Sequence, residues 1–167
     1  ASDVYKRQAC LYDETDGFYT SGGTAGRRGD FLTSPEVGPL FGAVLARWMD
    51  GIWEVLGQPD GFTVIEAGAG RGTLARAVIA AKPRCLEAGN YLMVERSAVL
   101  RADHPVGAGL TSSVHLPQEE ITGVVIANEL LDNLGFGLLA ADGEKWREVQ
   151  IGLDSGRLVE VLADERS

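Results

Sequence analysis

One short segment constrains the fold of this 167-residue chain more than any other. Residues 64–74 read VIEAGAGRGTL: an apolar strand, an acid, three alternating glycines and the start of a helix. Glycines at such a turn let the backbone bend tightly and approach a ligand, while the first turn of a helix offers free N–H groups. The segment therefore predicts a ligand pocket where the strand ends.

Two common phosphate-binding motifs do not fit this segment. The dinucleotide fingerprint needs a third glycine five residues after Gly68, where Thr73 stands, and the Gly-Lys-Ser/Thr of a P-loop is absent. The pattern that remains, Glu66-x-Gly68-x-Gly70-x-Gly72, resembles the S-adenosylmethionine pocket of Rossmann-like methyltransferases. A nicotinamide-dependent oxidoreductase is accordingly disfavoured.

Alternation of strands and helices predicts an α/β fold. The predicted elements are, in chain order, strand 62–66, helix 73–81, strand 91–95, helix 97–102, strand 113–115 and strand 123–128. This order predicts a Rossmann-like parallel sheet with flanking helices, in which the last strand is buried on both faces. Segments 145–153 and 157–162 predict a C-terminal antiparallel hairpin around Asp154-Ser155-Gly156.

A glycine-rich loop over Asp13–Asp30 precedes a long amphipathic helix. Thr33-Ser34-Pro35-Glu36 forms a capping box at the start of this helix, and Gly57 stands where the helix is expected to end. We expect one domain built from three parts. These parts are a non-native or disordered leader at 1–8, the glycine loop and helix at 9–60, and the pocket-bearing core at 61–167.

Composition excludes several classes of function. Fifteen Lys and Arg against 24 Asp and Glu give a net charge of −9, which disfavours nucleic acid and suits a cationic partner. Cys10 and Cys85 are too few for a disulfide framework, and the spacing of potential ligands forms no metal cluster. No apolar run is long enough to span a membrane. We therefore expect a soluble domain from a reducing compartment.

Polar side chains follow two more of the predicted strands. Glu95 stands 23 residues after Gly72, where a carboxylate can bind both ribose hydroxyls of a cofactor. Asn128 and Glu129 follow the fourth strand, and residues beyond the carboxyl ends of parallel strands share one crevice. A purely structural role stays open for both sets of residues. Glu66 and Glu95 would then only end strands at the surface, and Asn128 and Glu129 would only cap the next helix.

A set of motifs extends from Leu11 to about Val149. They are GRRGDF at 26–31, TSPE at 33–36, LFG at 40–42, GRGTL at 70–74, VERS at 94–97 with Leu100-Arg101, and ANELLD at 127–132. Together these motifs resemble the MidA family of class I S-adenosylmethionine-dependent methyltransferases. That family includes a mitochondrial complex I assembly factor that dimethylates an arginine of a core subunit.

The resemblance and the pocket motifs assign roles to two groups of residues. The cofactor-binding group is Glu66, Gly68, Gly70, Gly72 and Glu95, with Gly29, Asp30, Phe31, Thr33 and Ser34 in a loop that closes over the cofactor. The catalytic group, which orients the guanidinium of a protein arginine, is Glu129, Asn128 and Asp132. The family setting implies a bacterial cytoplasm or a mitochondrial matrix.

Two departures from the family are visible. Its members are about twice as long, so we expect later strands of the sheet to be missing, and Asn133-Leu134-Gly135-Phe136 replaces the usual Ala-Leu-Pro and apolar residue. Two alternative functions stay open: methyl transfer to a small molecule, and a non-catalytic module that keeps the pocket while assisting assembly of a partner complex.

The remaining basic side chains carry less information. His104 and His115 have no acid at a useful spacing and are expected in ordinary structural positions. Arg27, Arg28 and Arg71 either contact the cofactor carboxylate or lie at the surface.

Overall fold

The computed structural model describes residues 3–20 and 38–163, apart from the side chain of Asp132. The chain divides into two compact units: one within Gly22–Leu130, here the sheet unit, and one within Ala1–Ser21 and Leu131–Ser167, here the hairpin unit. The three-part division made from the sequence stays a prediction. Residues 3–8, which it assigned to a leader, belong to a helix.

The described part of the chain contains four α-helices and seven strands. The helices are α1 (Asp3–Tyr12), α2 (Pro39–Val55), α3 (Thr73–Ala80) and α4 (Ala98–Arg101). The strands are β1 (Thr63–Ala67), β2 (Asn90–Val94), β3 (Leu110–Ser113), β4 (Gly123–Ile126), β5 (Leu139–Asp142), β6 (Lys145–Asp154) and β7 (Arg157–Leu162). Within this part no helix is long and apolar enough to cross a membrane.

A parallel four-stranded sheet, in the order β3-β2-β1-β4, forms the centre of the sheet unit. Glu66 of β1 lies opposite Met93 of β2 and Ile126 of β4, and every pairing in this sheet is parallel. The predicted α/β class is therefore confirmed. Because parallel strands end at one edge of a sheet, the residues that follow β1, β2 and β4 meet there.

Two strands differ from the sequence prediction. β3 covers Leu110–Ser113 rather than 113–115, because its pairing with β2 stops where Val94 lies opposite Ser113. β4 ends at Ile126 instead of residue 128, and the expectation that it is buried on both faces is wrong. It lies at the edge of the sheet, where Val125 is 58% exposed.

The core of the sheet unit combines α2, α3 and the sheet. Fully buried side chains include Met49 of α2, Val64 of β1, Val78 of α3 and Tyr91 of β2. The two helices approach closely at Gly42, where an added Cβ would lie 2.5 Å from the Cβ of Ala77.

The end of α2 matches the sequence prediction. Gly57 has a φ of +82°, and its N–H donates to the carbonyl of Glu54 at 3.0 Å. The N–H of Gln58 donates to the carbonyl of Trp53 at 2.8 Å, which completes a Schellman motif. The predicted capping box at residues 33–36 lies outside the described residues, and the described helix begins at Pro39.

The hairpin unit contains an antiparallel sheet in the order β5-β6-β7. Asp154 pairs with Arg157 around Ser155 and Gly156, whose φ angles of 49° and 79° are those of a type I′ turn. The predicted hairpin is therefore confirmed. β5 was not predicted, since four residues are too few to show a clear alternation.

Glu66 brings a carboxyl group into the core of the sheet unit. The residue is 4% exposed, its Oε2 accepts a hydrogen bond from the Tyr91 hydroxyl at 2.9 Å, and the backbone N–H of Ala75 also donates to it. Burial raises the pKa of Glu66 to about 7, although both hydrogen bonds favour the ionised form. Burial, together with the neighbouring Glu66, also raises the pKa of Tyr91.

The close approach of α2 and α3 gives a matched pair of substitutions. Gly42→Ala should lower the free energy of unfolding by about 1–3 kcal/mol, because the new methyl group would lie 2.7 Å from the carbonyl carbon of Ala77. Gly51→Ala, in the same helix, places its new methyl group more than 4 Å from the described atoms outside the local helix backbone, and should stabilise by up to about 1 kcal/mol. Urea denaturation measures both changes, and equal effects would contradict the close helix packing.

A second prediction concerns pH. The folded protein keeps the Glu66 proton up to about pH 7, whereas the unfolded chain loses it near the ordinary value of 4.5. Between these values the folded state binds more protons, so its free energy of unfolding should fall as the pH rises, by ~3 kcal/mol in total. Glu66→Gln should remove this decrease. Urea denaturation of both proteins at about pH 5 and about pH 8 tests it, and an unchanged decrease in the variant would assign the effect to other groups.

Candidate functional site

Three segments meet at the carboxyl edge of the parallel sheet. The N–H groups of Gly68 and Ala69, which follow β1, both donate to the carbonyl of Val94 at the end of β2, at 2.9 Å and 3.0 Å. After β4 the chain returns to the same place, since a Cβ on Gly68 would lie 2.8 Å from Cδ1 of Leu130. The segment after β4 therefore approaches the glycine turn through Leu130, and the crevice shared with Asn128 and Glu129 stays a prediction.

The glycine turn, residues 68–72, has a backbone that other residues adopt only with strain. Gly68, Gly70 and Gly72 have φ angles of +73°, +54° and +75°. A Cβ on Gly72 would also lie 2.8 Å from Cδ of Pro105, whereas a Cβ on Gly70 would meet no atom of the described residues within 4 Å. Gly70 therefore has space on the side where a side chain would be.

Glu95 follows β2 and holds the glycine turn by its side chain. Its Oε2 accepts a hydrogen bond from the N–H of Gly70 at 3.0 Å, and its Oε1 accepts one from the N–H of Ser97 at 2.8 Å. The guanidinium of Arg101 donates to the backbone carbonyl of Glu95 at 2.7 Å. The half-buried carboxylate is thus fixed beside the turn, and each of its oxygens has a further lone pair.

Glu66 is buried against α3 and β2, and its place in the cofactor pocket stays a prediction. Its carboxyl group accepts from the backbone of Ala75, in the first turn of α3, and from Tyr91 in β2. The alternative that this acid ends a strand at the surface is wrong, because it is 4% exposed. Its contacts hold the start of α3 in place.

The polar pair after β4 lies at the same edge. Asn128 is half-buried, and Glu129 is exposed with a φ of +53°, which is uncommon for a residue with a side chain. The segment that follows forms only a short 3-10 turn, Leu131–Asn133, instead of a long helix. Asp132 lies in that turn within the hairpin unit, and its side chain is outside the described part.

Other predicted site residues cannot be placed. Gly29, Asp30, Phe31, Thr33 and Ser34 lie outside the described residues, as do Arg27 and Arg28, so the closing loop stays a prediction. Arg71 is described: it forms an ion pair with Asp103, and its side chain is 39% exposed. In the part of the chain that the structure describes, no group of His, Cys, Asp and Glu could hold a metal ion.

His104 contacts the glycine turn, although the sequence predicted only an ordinary structural position. Its Nε2 lies 2.9 Å from the carbonyl oxygen of Gly70, and its Nδ1 lies 2.8 Å from Oγ of Ser112. The residue is 9% exposed. His104 is 34 positions from Gly70 in the chain, so no local motif could reveal the contact.

Known proteins similar to this chain are methyltransferases. The Drosophila melanogaster protein arginine methyltransferase NDUFAF7 homolog, mitochondrial, is 29% identical over 179 residues, covering 90% of this chain and 41% of that protein. Human protein arginine methyltransferase NDUFAF7, mitochondrial, is 39% identical over 64 residues, covering 38% of this chain and 14% of that protein.

A solved structure shares the fold across the whole chain. It is a COG1565 superfamily member from Burkholderia thailandensis in complex with S-adenosyl-homocysteine, with a TM-score of 0.84 and 30% identity. The match covers 100% of this chain and 46% of that one. The chain therefore spans less than half the length of this protein and of the Drosophila relative.

A family model described as S-adenosyl-L-methionine-dependent methyltransferase matches residues 44–167. These residues include β1, the glycine turn, Glu95 and the polar pair after β4. The cofactor of this family is S-adenosylmethionine. Since the match covers well over half of the chain, the protein belongs to this methyltransferase family, as its resemblance to the MidA proteins predicted.

Proposed function

We propose that the chain binds S-adenosylmethionine at the glycine turn and that its protein transfers the methyl group to an arginine of a protein acceptor. The observation that carries the proposal is the hydrogen bond between the Gly70 N–H and the Glu95 carboxylate, at the sheet edge where the polar pair after β4 also lies. Both parts of a transfer site, one for a cofactor and one for an acceptor, then lie along one sheet edge.

The residues at this edge fit the cofactor. The positive φ angles of the glycine turn and the open space at Gly70 leave room for the amino-acid moiety against the backbone. The free lone pairs of Glu95 can accept hydrogen bonds from both ribose hydroxyls. Glu66 supports this pocket from below without touching the ligand. When bound, S-adenosylmethionine would supply an electrophilic methyl group on its sulfonium: an acceptor nitrogen in line with the C–S bond would take the methyl group, and S-adenosylhomocysteine would be the leaving group.

The acceptor side rests on Glu129 and Asn128. A carboxylate accepts two parallel N–H bonds from a guanidinium, which would orient an arginine towards the cofactor, and an amide can bind a further N–H. Positioning is the main requirement for such a displacement. The net charge of −9 favours a cationic acceptor. Asp132 is included among the proposed acceptor-binding residues on the basis of its sequence position alone.

The relatives support the choice of acceptor and compartment. The matched fruit fly and human proteins are both named as mitochondrial protein arginine methyltransferases. We extend these properties to this protein as part of the proposal: an arginine-bearing subunit of respiratory complex I or a similar protein as acceptor, in the mitochondrial matrix or the cytoplasm of a bacterium.

Cofactor binding is expected to depend on Glu95. Glu95→Ala removes the ribose acceptors and the Gly70 contact, and should raise the Kd for S-adenosylmethionine by about 10- to 100-fold. Glu87→Ala, which removes an exposed acid away from the sheet edge, is the matched control and should bind like the wild type. Calorimetric titration measures both, with NAD as the control ligand. Equal affinity of the Glu95 variant and the wild type would contradict the ribose assignment.

Methyl transfer should depend on Glu129 while cofactor binding does not. Glu129→Ala should keep the Kd for S-adenosylmethionine within about threefold of the wild type and lower transfer to arginine peptides by about 100-fold or more. Transfer of a labelled methyl group is measured on arginine peptides and on matched lysine peptides.

Other results of this transfer assay would favour a different acceptor or a different function. Equal transfer to the lysine peptides would contradict the arginine acceptor. Labelling of small molecules alone would indicate a small-molecule methyltransferase. Cofactor binding without transfer to any acceptor would instead support a non-catalytic assembly module.

A further inference from the structure

The backbone N–H and the backbone carbonyl of Gly70 each have a side-chain partner. Its N–H donates to Oε2 of Glu95 at 3.0 Å, and its carbonyl oxygen lies 2.9 Å from Nε2 of His104. Glycine populates both signs of φ, so a glycine in open space keeps one backbone conformation only if its neighbours hold it. Glu95 and His104 are the described side chains that do this at Gly70.

The tautomer of His104 follows from its partners. A carbonyl oxygen only accepts hydrogen bonds, so Nε2 carries the proton that is donated to Gly70. In the neutral ring Nδ1 is then the acceptor, and the hydroxyl of Ser112 donates to it across 2.8 Å. Ser112 belongs to β3 and lies opposite Met93 of β2. The ring therefore connects the glycine turn to the sheet.

The segment that contains His104 contacts both Glu95 and the glycine turn. This segment comprises residues 101–105. At one end, Arg101 donates to the backbone carbonyl of Glu95 at 2.7 Å. Further along, Asp103 forms an ion pair with Arg71 in the glycine turn. Residues 101–105 thus contact both the residue proposed to bind the ribose and the glycine turn.

His104 is packed as well as hydrogen-bonded. It is 9% exposed, and a Cβ on Gly72 would lie 3.4 Å from its Cδ2 and 2.8 Å from Cδ of Pro105. The ring has little room to rotate away from Gly70. A side chain held in this way can fix a turn before the ligand arrives, which lowers the entropy that binding must remove.

We infer that His104 is a positioning residue for the cofactor: its Nε2–H holds the Gly70 carbonyl, and thereby keeps the glycine turn in the conformation that binds S-adenosylmethionine. The inference rests on the proposed cofactor site and is independent of the acceptor. His104 acts through Gly70 and does not itself touch the ligand.

Two amide substitutions separate the role of Nε2 from that of the ring as a whole. In His104→Gln the amide nitrogen can reach the position of Nε2 and donate to Gly70, whereas in His104→Asn the shorter side chain reaches only the position of Nδ1, near Ser112. Both replace an aromatic ring by an amide, and asparagine is one methylene smaller, so each variant has its own packing loss. Thermal unfolding without ligand measures those losses.

The first readout is hydrogen exchange of the Gly70 and Gly72 amides in the protein without ligand. We expect exchange to be about tenfold faster in His104→Asn than in His104→Gln, because the carbonyl contact is restored only in the latter. The second readout is the Kd for S-adenosylmethionine, which should rise about tenfold in His104→Asn and stay within about threefold of the wild type in His104→Gln.

The outcomes are distinguishable. Equal exchange rates and equal Kd values in the two variants would overturn the inference, since only the ring's bulk would then matter. If the wild type does not bind S-adenosylmethionine, the cofactor site fails and the cofactor role of His104 is overturned with it, while a difference in exchange would still show that His104 orders the turn.

A measurement on the wild type covers the case in which both variants unfold. Nitrogen chemical shifts of the His104 ring should show a protonated Nε2 and an unprotonated Nδ1 in the neutral form. A neutral ring protonated at Nδ1 would overturn the inference, because its Nε2 could not donate to Gly70.

Discussion

The hydrogen bond from the Gly70 N–H to the Glu95 carboxylate connects the parts of the site that are distant in sequence. It joins the turn after β1 to the end of β2, where the ribose of the cofactor is proposed to bind. The bond forms only because adjacent parallel strands end at the same edge. Gly70 has a positive φ in this arrangement, so the bond depends on the glycine as well as on the sheet order.

Two glutamates at the ends of neighbouring strands have different roles because their surroundings differ. Glu66 is 4% exposed, and burial raises its pKa, so it supports α3 from inside the core. Glu95 is half-buried and accepts backbone N–H groups beside the open space at Gly70. A pattern of acids at strand ends therefore predicts a site, while burial decides which acid is accessible to a ligand.

The features predicted correctly from the sequence are those that depend on local chemistry. The β6–β7 hairpin follows from a two-residue turn with positive φ, and the end of α2 from Gly57 in a Schellman motif. The predictions that failed depend on neighbours in the sheet. The burial of Val125 depends on whether a strand lies beside β4, and the extent of β3 depends on where its pairing with β2 stops.

The amino-acid sequence by itself determined the α/β class, the glycine turn and the segments that follow each strand, because periodicity and glycine spacing act over short distances. It also determined the family, through motifs spread over the chain. Only the tertiary structure placed Glu66 in the core and His104 against the Gly70 carbonyl. Such contacts join residues far apart in the chain, and their hydrogen bonds exist only after the sheet has brought the strand ends together.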